Sequence, residues 1–121
     1  MTTGMPAGIW LQKFGTIIED YFGYVPYHVG SSLVTKDWRD VDVRLILPDE
    51  EYAAQFGSIH ASAIGDRKLA AITLAFASLG TAMTGLPIDF QIQSATHANA
   101  KYPGNRSALI EYRPLEPEEE R

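Results

Sequence analysis

The segment at residues 40–47, DVDVRLIL, constrains the fold of this chain more than any other, because apolar and polar residues alternate through most of it. Successive side chains of a β-strand point to opposite faces of a sheet. The odd-numbered positions would therefore share an apolar, buried face, whereas Asp40, Asp42, Arg44 and Ile46 would share the other face. The two carboxylates would lie about 7 Å apart. They repel each other unless they face solvent, pair with Arg44 or hold a metal cation between them.

A second alternating segment, IDFQIQ at residues 88–93, predicts another strand. Its Ile88, Phe90 and Ile92 would point into the core, so that Asp89 projects from the opposite face. Two shorter strands are predicted at residues 24–30 and 108–113.

Two helices are predicted from apolar residues at helical spacing. The first covers residues 8–22, and the second covers residues 66–83, with Asp66 at its start and Gly85 after its end. The apolar stripe of the first helix, predicted to enter the core, consists of Trp10, Phe14, Ile17, Ile18 and Tyr21. The apolar residues of the second helix are spaced 3, 4, 3 and 4 apart and are Leu69, Ile72, Phe76, Leu79 and Met83.

The order helix, strand, strand, helix, strand, strand predicts a small α/β (α+β) fold with a mixed, largely antiparallel sheet and helices packed on one face. Residues 31–39 and 94–106 are predicted to be loops, and the acids at residues 49–51 are expected to open a short helix or turn. Residues 1–113 would form the domain, and the acidic segment at residues 114–121 is predicted to be a disordered tail.

Composition excludes several functional classes. The 121 residues fit one domain. They contain no apolar run of the roughly 20 residues that span a bilayer, so no membrane-spanning helix is expected. They contain no cysteine, which excludes disulfides, thiolate chemistry and Cys-based zinc sites. The start of the sequence has no secretory signal pattern, so a cytoplasmic location without a membrane partner is expected. A net charge of −5 argues against a broad basic surface for duplex nucleic acid.

The polar face of the predicted sheet carries the residues that suit phosphate chemistry. Carboxylate oxygens such as those of Asp40, Asp42 and Asp89 are ligands that Mg²⁺ prefers, together with phosphates and water. Gly30 would let a triphosphate approach the backbone closely, and Ser31 would add a hydroxyl group.

The chain reads Gly30-Ser31, an eight-residue spacer, the string DVDV at residues 40–43, and a later Asp89. This pattern resembles the nucleotidyltransferase superfamily typified by DNA polymerase beta, in its minimal single-domain form. The resemblance covers residues 8–93. It implies that Asp40 and Asp42 bind two metal ions and that Asp89 binds the catalytic ion and helps to deprotonate the attacking hydroxyl group. It also implies that the Gly-Ser pair holds the triphosphate.

The function implied by the resemblance is Mg²⁺-dependent transfer of a nucleoside monophosphate from a nucleoside triphosphate to an acceptor hydroxyl group, with release of pyrophosphate. Mn²⁺ is an alternative ion. The acceptor is left open among a nucleic-acid 3′ end, such as that of RNA, a protein and a small molecule. For Arg44 two roles are left open, which are to bind a phosphate or to pair with Asp42.

A non-catalytic member of the same superfamily, acting as a regulatory or partner-binding protein, is the alternative. Ser32 stands where many small members carry a basic residue, and the chain has no second domain for base or acceptor recognition. A second copy of the chain in a homodimer, or a separate partner chain, could supply that recognition.

Overall fold

The computed structural model describes residues 5–30, 40–62, 64–101, 104 and 106–110 and contains both helices and strands. In chain order the elements are α1 (Met5–Phe22), β1 (Tyr27–Val29), β2 (Val41–Leu47), α2 (Asp49–Phe56), α3 (Arg67–Thr84), β3 (Ile88–Ser94), α4 (Ala95–Lys101) and β4 (Arg106–Ala108). The predicted small α/β fold is confirmed. The predicted tail at residues 114–121 lies outside the described residues.

The four described strands form one mixed sheet in the order β3-β2-β1-β4. Strand β1 pairs antiparallel with both β2 and β4, whereas β2 and β3 run parallel. Paired residues of neighbouring strands project from the same face of a sheet. The register therefore places Asp89, Asp42, Val29 and Arg106 in one row across the sheet.

The core forms on the apolar face of β2 and β3, as the alternation predicts. The four odd-numbered residues from Val41 to Leu47 are completely buried, and helices α1, α2 and α3 pack side chains against them. The core residues are Leu11, Phe14, Ile18, Val41, Val43, Leu45, Leu47, Tyr52, Phe56, Leu69, Ile88, Phe90, Ile92 and Leu109. In the part of the chain that the structure describes, no helix is long and apolar enough to cross a membrane.

Helix α3 begins and ends as predicted. The carboxylate of Asp66 accepts a hydrogen bond from the backbone N–H of Leu69 at 2.9 Å, which caps the first turn. Gly85 adopts the left-handed conformation after the last turn. These two caps explain why the sequence located this helix to within one residue at each end.

The apolar stripe predicted for α1 is wrong in three positions, because Trp10, Ile17 and Tyr21 are exposed. Gly15 lies so close to Leu109 that a Cβ atom there would overlap the Leu109 carbonyl oxygen. This close contact turns the Phe14 side of the helix toward the sheet and leaves part of the predicted stripe facing solvent.

The loop predicted at residues 94–106 is also wrong, because it contains helix α4 and the first residue of β4. Ser94 Oγ accepts a hydrogen bond from the backbone N–H of His97 at 3.2 Å, and three alanines follow within the next six residues. The last described strand lies at Arg106–Ala108 rather than at residues 108–113. Its polar residues lack the alternation that marks the other strands.

Candidate functional site

Two of the three predicted acids lie side by side. Asp42 and Asp89 are each the second residue of their strand, and the parallel register pairs them directly. Asp42 is the more buried of the two, with 21% of its side chain exposed against 38% for Asp89. Asp40 is exposed and comes immediately before β2. The sheet therefore brings the acids together at the end where β2 and β3 begin.

A buried arginine contacts both paired acids. Nη1 of Arg44 donates a hydrogen bond to the backbone oxygen of Asp89 at 2.6 Å and another to that of Val43 at 3.1 Å. Nη2 donates to Asp89 Oδ2 at 3.3 Å and lies 3.9 Å from Asp42 Oδ1. The sequence left two roles open for Arg44, to bind a phosphate or to pair with Asp42, and this arrangement corresponds to the ion pair. The guanidinium group thus balances part of the negative charge of the site.

Asp42 nevertheless remains in an unfavourable electrostatic environment. Burial raises the pKa of its carboxyl group above the ordinary value, and Arg44 opposes this effect. The charges of Asp89 and Asp40 and a hydrogen bond with the Asp89 carboxyl group raise the pKa further. The ionised form of Asp42 is therefore destabilised first by burial and then by the neighbouring carboxylates. An additional cation beside this carboxylate would relieve that repulsion.

Gly30 lies directly against Asp42 at the end of β1. Its φ angle is +85°, a conformation that L side chains rarely adopt, and a Cβ atom there would overlap Asp42 Oδ2. The position therefore requires glycine for two separate reasons. Its predicted partner Ser31, with the rest of the loop at residues 31–39, lies outside the described residues.

The double requirement at Gly30 can be tested against Gly57, which has a φ angle of +87° but no atom near its hypothetical Cβ. Gly57→Ala should lower the free energy of unfolding by about 1–2 kcal/mol, the cost of the left-handed conformation. Gly30→Ala should cost about 1–3 kcal/mol more because of the overlap with Asp42. Chemical denaturation of both variants measures the difference. Equal losses would show that Asp42 moves aside freely.

The donor types at this site fit a magnesium site in which few protein ligands act together with phosphates and water. Among the residues that the structure describes, no three His, Cys, Asp or Glu side chains are grouped so that they could hold a metal ion by themselves. Mg²⁺ is usually bound through one or two carboxylates plus substrate phosphates and water, not by an all-protein cage. The pair Asp42–Asp89 fits that type of site.

The structure adds one basic residue that the sequence did not place here. Arg106 lies in the same row of the sheet as the paired acids, two strands away from Asp42. Its Nη2 donates a hydrogen bond to Asn99 Oδ1 of α4 at 2.9 Å. No local pattern marks residue 106 as part of a strand, so its position could not be read from the sequence.

Comparisons with known proteins add no relative. No family model matches the chain, and neither the curated proteins nor the solved structures contain a significant match. Any functional conclusion therefore rests on the residues and geometry described above.

Proposed function

We propose that this protein is a Mg²⁺-dependent nucleotidyltransferase that transfers a nucleoside monophosphate from a nucleoside triphosphate to an acceptor hydroxyl group. The observation that carries the proposal is the pairing of Asp42 with Asp89 across parallel strands, beside a glycine that leaves no room for a side chain. The position of Asp40 next to this pair, and its effect on the pKa of Asp42, add support.

Each residue has a role that follows from its place in the site. Asp42 and Asp89 would hold the metal together with substrate phosphates and water, beside the exposed Asp40, and the metal when bound neutralises phosphate charge during phosphoryl transfer. Gly30 lets the triphosphate approach the backbone, where N–H groups can donate hydrogen bonds. Arg44 is a positioning residue, since its contacts fix the carboxylate of Asp89 relative to Asp42.

In the transfer step one O–P bond forms while another breaks. Asp89 accepts the proton of the acceptor hydroxyl group as the oxygen attacks the α-phosphorus of the triphosphate. The new O–P bond forms in line with the bond that breaks, and pyrophosphate leaves with the electron pair of that bond. Asp89 suits this role because it is the more exposed acid of the pair and can meet an acceptor from solvent.

The test is incubation of the protein with each α-³²P-labelled nucleoside triphosphate, Mg²⁺ and three separate acceptor pools, namely short RNA, total protein and free nucleosides. We expect label to appear in one acceptor pool, with release of pyrophosphate and complete loss of transfer when EDTA is added. No incorporation of label with any triphosphate in the presence of Mg²⁺ or Mn²⁺ would contradict the proposal.

One observation favours a second candidate function, that of a non-catalytic, nucleotidyltransferase-like binding protein. Arg44 contacts both Asp42 and Asp89, so a protein cation already partly satisfies the two carboxylates. In a purely structural site this ion pair would make a metal unnecessary. The two candidates differ in whether a divalent cation binds at the acid pair.

A further inference from the structure

A cavity of about 470 Å³ runs along β3 on the side away from β2. Its floor consists of the consecutive residues Asp89 to Ser94. Residues 59–62 between α2 and α3 line it as well, and so do Thr96, His97 and Ala100 of α4. Small-molecule sites usually have volumes of about 300–1,000 Å³, so this cavity is large enough for a ligand.

Gln93 lines the cavity, and its buried side-chain oxygen lacks a partner. The residue is only 5% exposed, and its Oε1 accepts no hydrogen bond from any residue that the structure describes. A buried amide oxygen without a donor costs about 1–3 kcal/mol, and most such groups in proteins are paired. The terminal torsion of glutamine is soft, so a small turn of the amide can present the oxygen to a ligand N–H group.

The walls supply groups that suit a flat, nitrogen-rich ring. His60 and His97 are both exposed and both line the cavity, and histidine rings are common stacking partners of bases. Gln91 adds a second amide, whose Nε2 lies 3.4 Å from Asp89 Oδ1. Glutamine amides pair with the hydrogen-bonding edges of nucleobases through one donor and one acceptor.

The cavity also lies on a defined side of the candidate site. Of the three acids, all within the described part of the chain, Asp89 alone lines it. Gly30 and Asp42 lie on the other side of Asp89, toward β1 and β2. A ligand in the cavity would therefore approach Asp89 from the side opposite the proposed triphosphate position, which is where an acceptor hydroxyl group must arrive for in-line attack.

We propose that this cavity binds the nucleobase of the acceptor, with Gln93 as its hydrogen-bonding partner. The acceptor is then a nucleoside-containing molecule, either a free nucleotide or the end of an RNA strand, and not a protein side chain. The assignment of the bound molecule as the acceptor rests on the proposed nucleotidyl transfer. Binding of the base does not depend on transfer.

The experiment follows amide NMR signals of the full chain, without metal or triphosphate, as nucleosides, the four nucleoside 5′-monophosphates or an RNA trinucleotide are added. We expect at least one probe to shift signals of residues 89–97. Gln93→Leu should weaken that binding by about 5–150-fold, since pairing a base edge with a glutamine amide is worth about 1–3 kcal/mol. The variant should stay folded, because it replaces an unpaired buried amide by an apolar group.

The control is Gln55→Leu, a half-buried glutamine that bonds Glu51 within α2 and does not line the cavity. It should leave binding unchanged. The inference is overturned if no probe shifts these signals, or if Gln93→Leu binds as tightly as the wild type. Binding without any label transfer would instead refute the proposed function, and transfer to a protein acceptor without binding would refute only the inference.

Discussion

Asp89→Asn is expected to reduce nucleotidyl transfer by about 10²–10⁴-fold, the usual contribution of a positioned proton acceptor. The change keeps the size of the side chain and removes its negative charge. It therefore removes both the proton acceptor and one of the two paired carboxylates. Asp42→Asn should reduce nucleotidyl transfer by a similar factor, because it removes the charge of the second paired carboxylate. The α-³²P transfer assay measures both variants against the wild type.

Both variants should remain folded, because asparagine keeps an oxygen that can accept the hydrogen bond of Arg44 at position 89. The matched control is Glu50→Gln, which neutralises an exposed acid in the first turn of α2, outside the site. Its transfer rate should equal that of the wild type. Full activity in either aspartate variant would refute the roles assigned to the pair.

Arg44→Met should lower the free energy of unfolding by about 1–3 kcal/mol in metal-free buffer, because it removes charge-assisted hydrogen bonds to carboxylates that are themselves partly exposed. The arginine is almost completely buried and contacts both acids, so the variant leaves two neighbouring carboxylates without a protein cation. If the pair also binds a divalent cation, added Mg²⁺ or Mn²⁺ should recover part of the lost stability. Thermal unfolding with increasing metal concentration measures this recovery.

If Arg44→Met folds poorly, a double variant provides a second test of metal binding at the acid pair. Arg44→Met with Asp42→Asn removes the repulsion together with the arginine, so it should be more stable than Arg44→Met alone and should respond less to metal. Arg67→Met, at an exposed arginine outside the site, should change stability by less than about 0.5 kcal/mol. Equal metal responses of Arg44→Met and the double variant would show that the cation binds elsewhere.

The strands that carry the site were predictable because their signal is local. Alternation in residues 40–47 and 88–93 places Asp42 and Asp89 on the face opposite the core, and the structure places the apolar residues of both strands in the core. The ends of α3 were predictable for the same reason, since a capping aspartate and a terminal glycine act within one turn of the chain.

Other features depend on contacts between distant segments and leave no local pattern. The parallel register that pairs Asp42 with Asp89 is set by how β2 and β3 meet. The exposure of Trp10 follows from the contact of Gly15 with Leu109, about ninety positions later in the chain. Helix α4 did have a usable signal, namely the capping Ser94 before an alanine-rich segment. The small polar residues of the same segment favoured a loop and concealed that signal.

Binding of a divalent cation by the paired carboxylates can be measured by the broadening of amide NMR signals with small amounts of Mn²⁺, in the wild type, Asp42→Asn and Asp89→Asn. Paramagnetic broadening should be strongest at Gly30, Asp42 and Asp89 in the wild type and should weaken sharply at these positions in both variants. Equal broadening in all three proteins, or broadening confined to the acidic residues 116–120, would mean that the paired carboxylates do not hold a divalent cation.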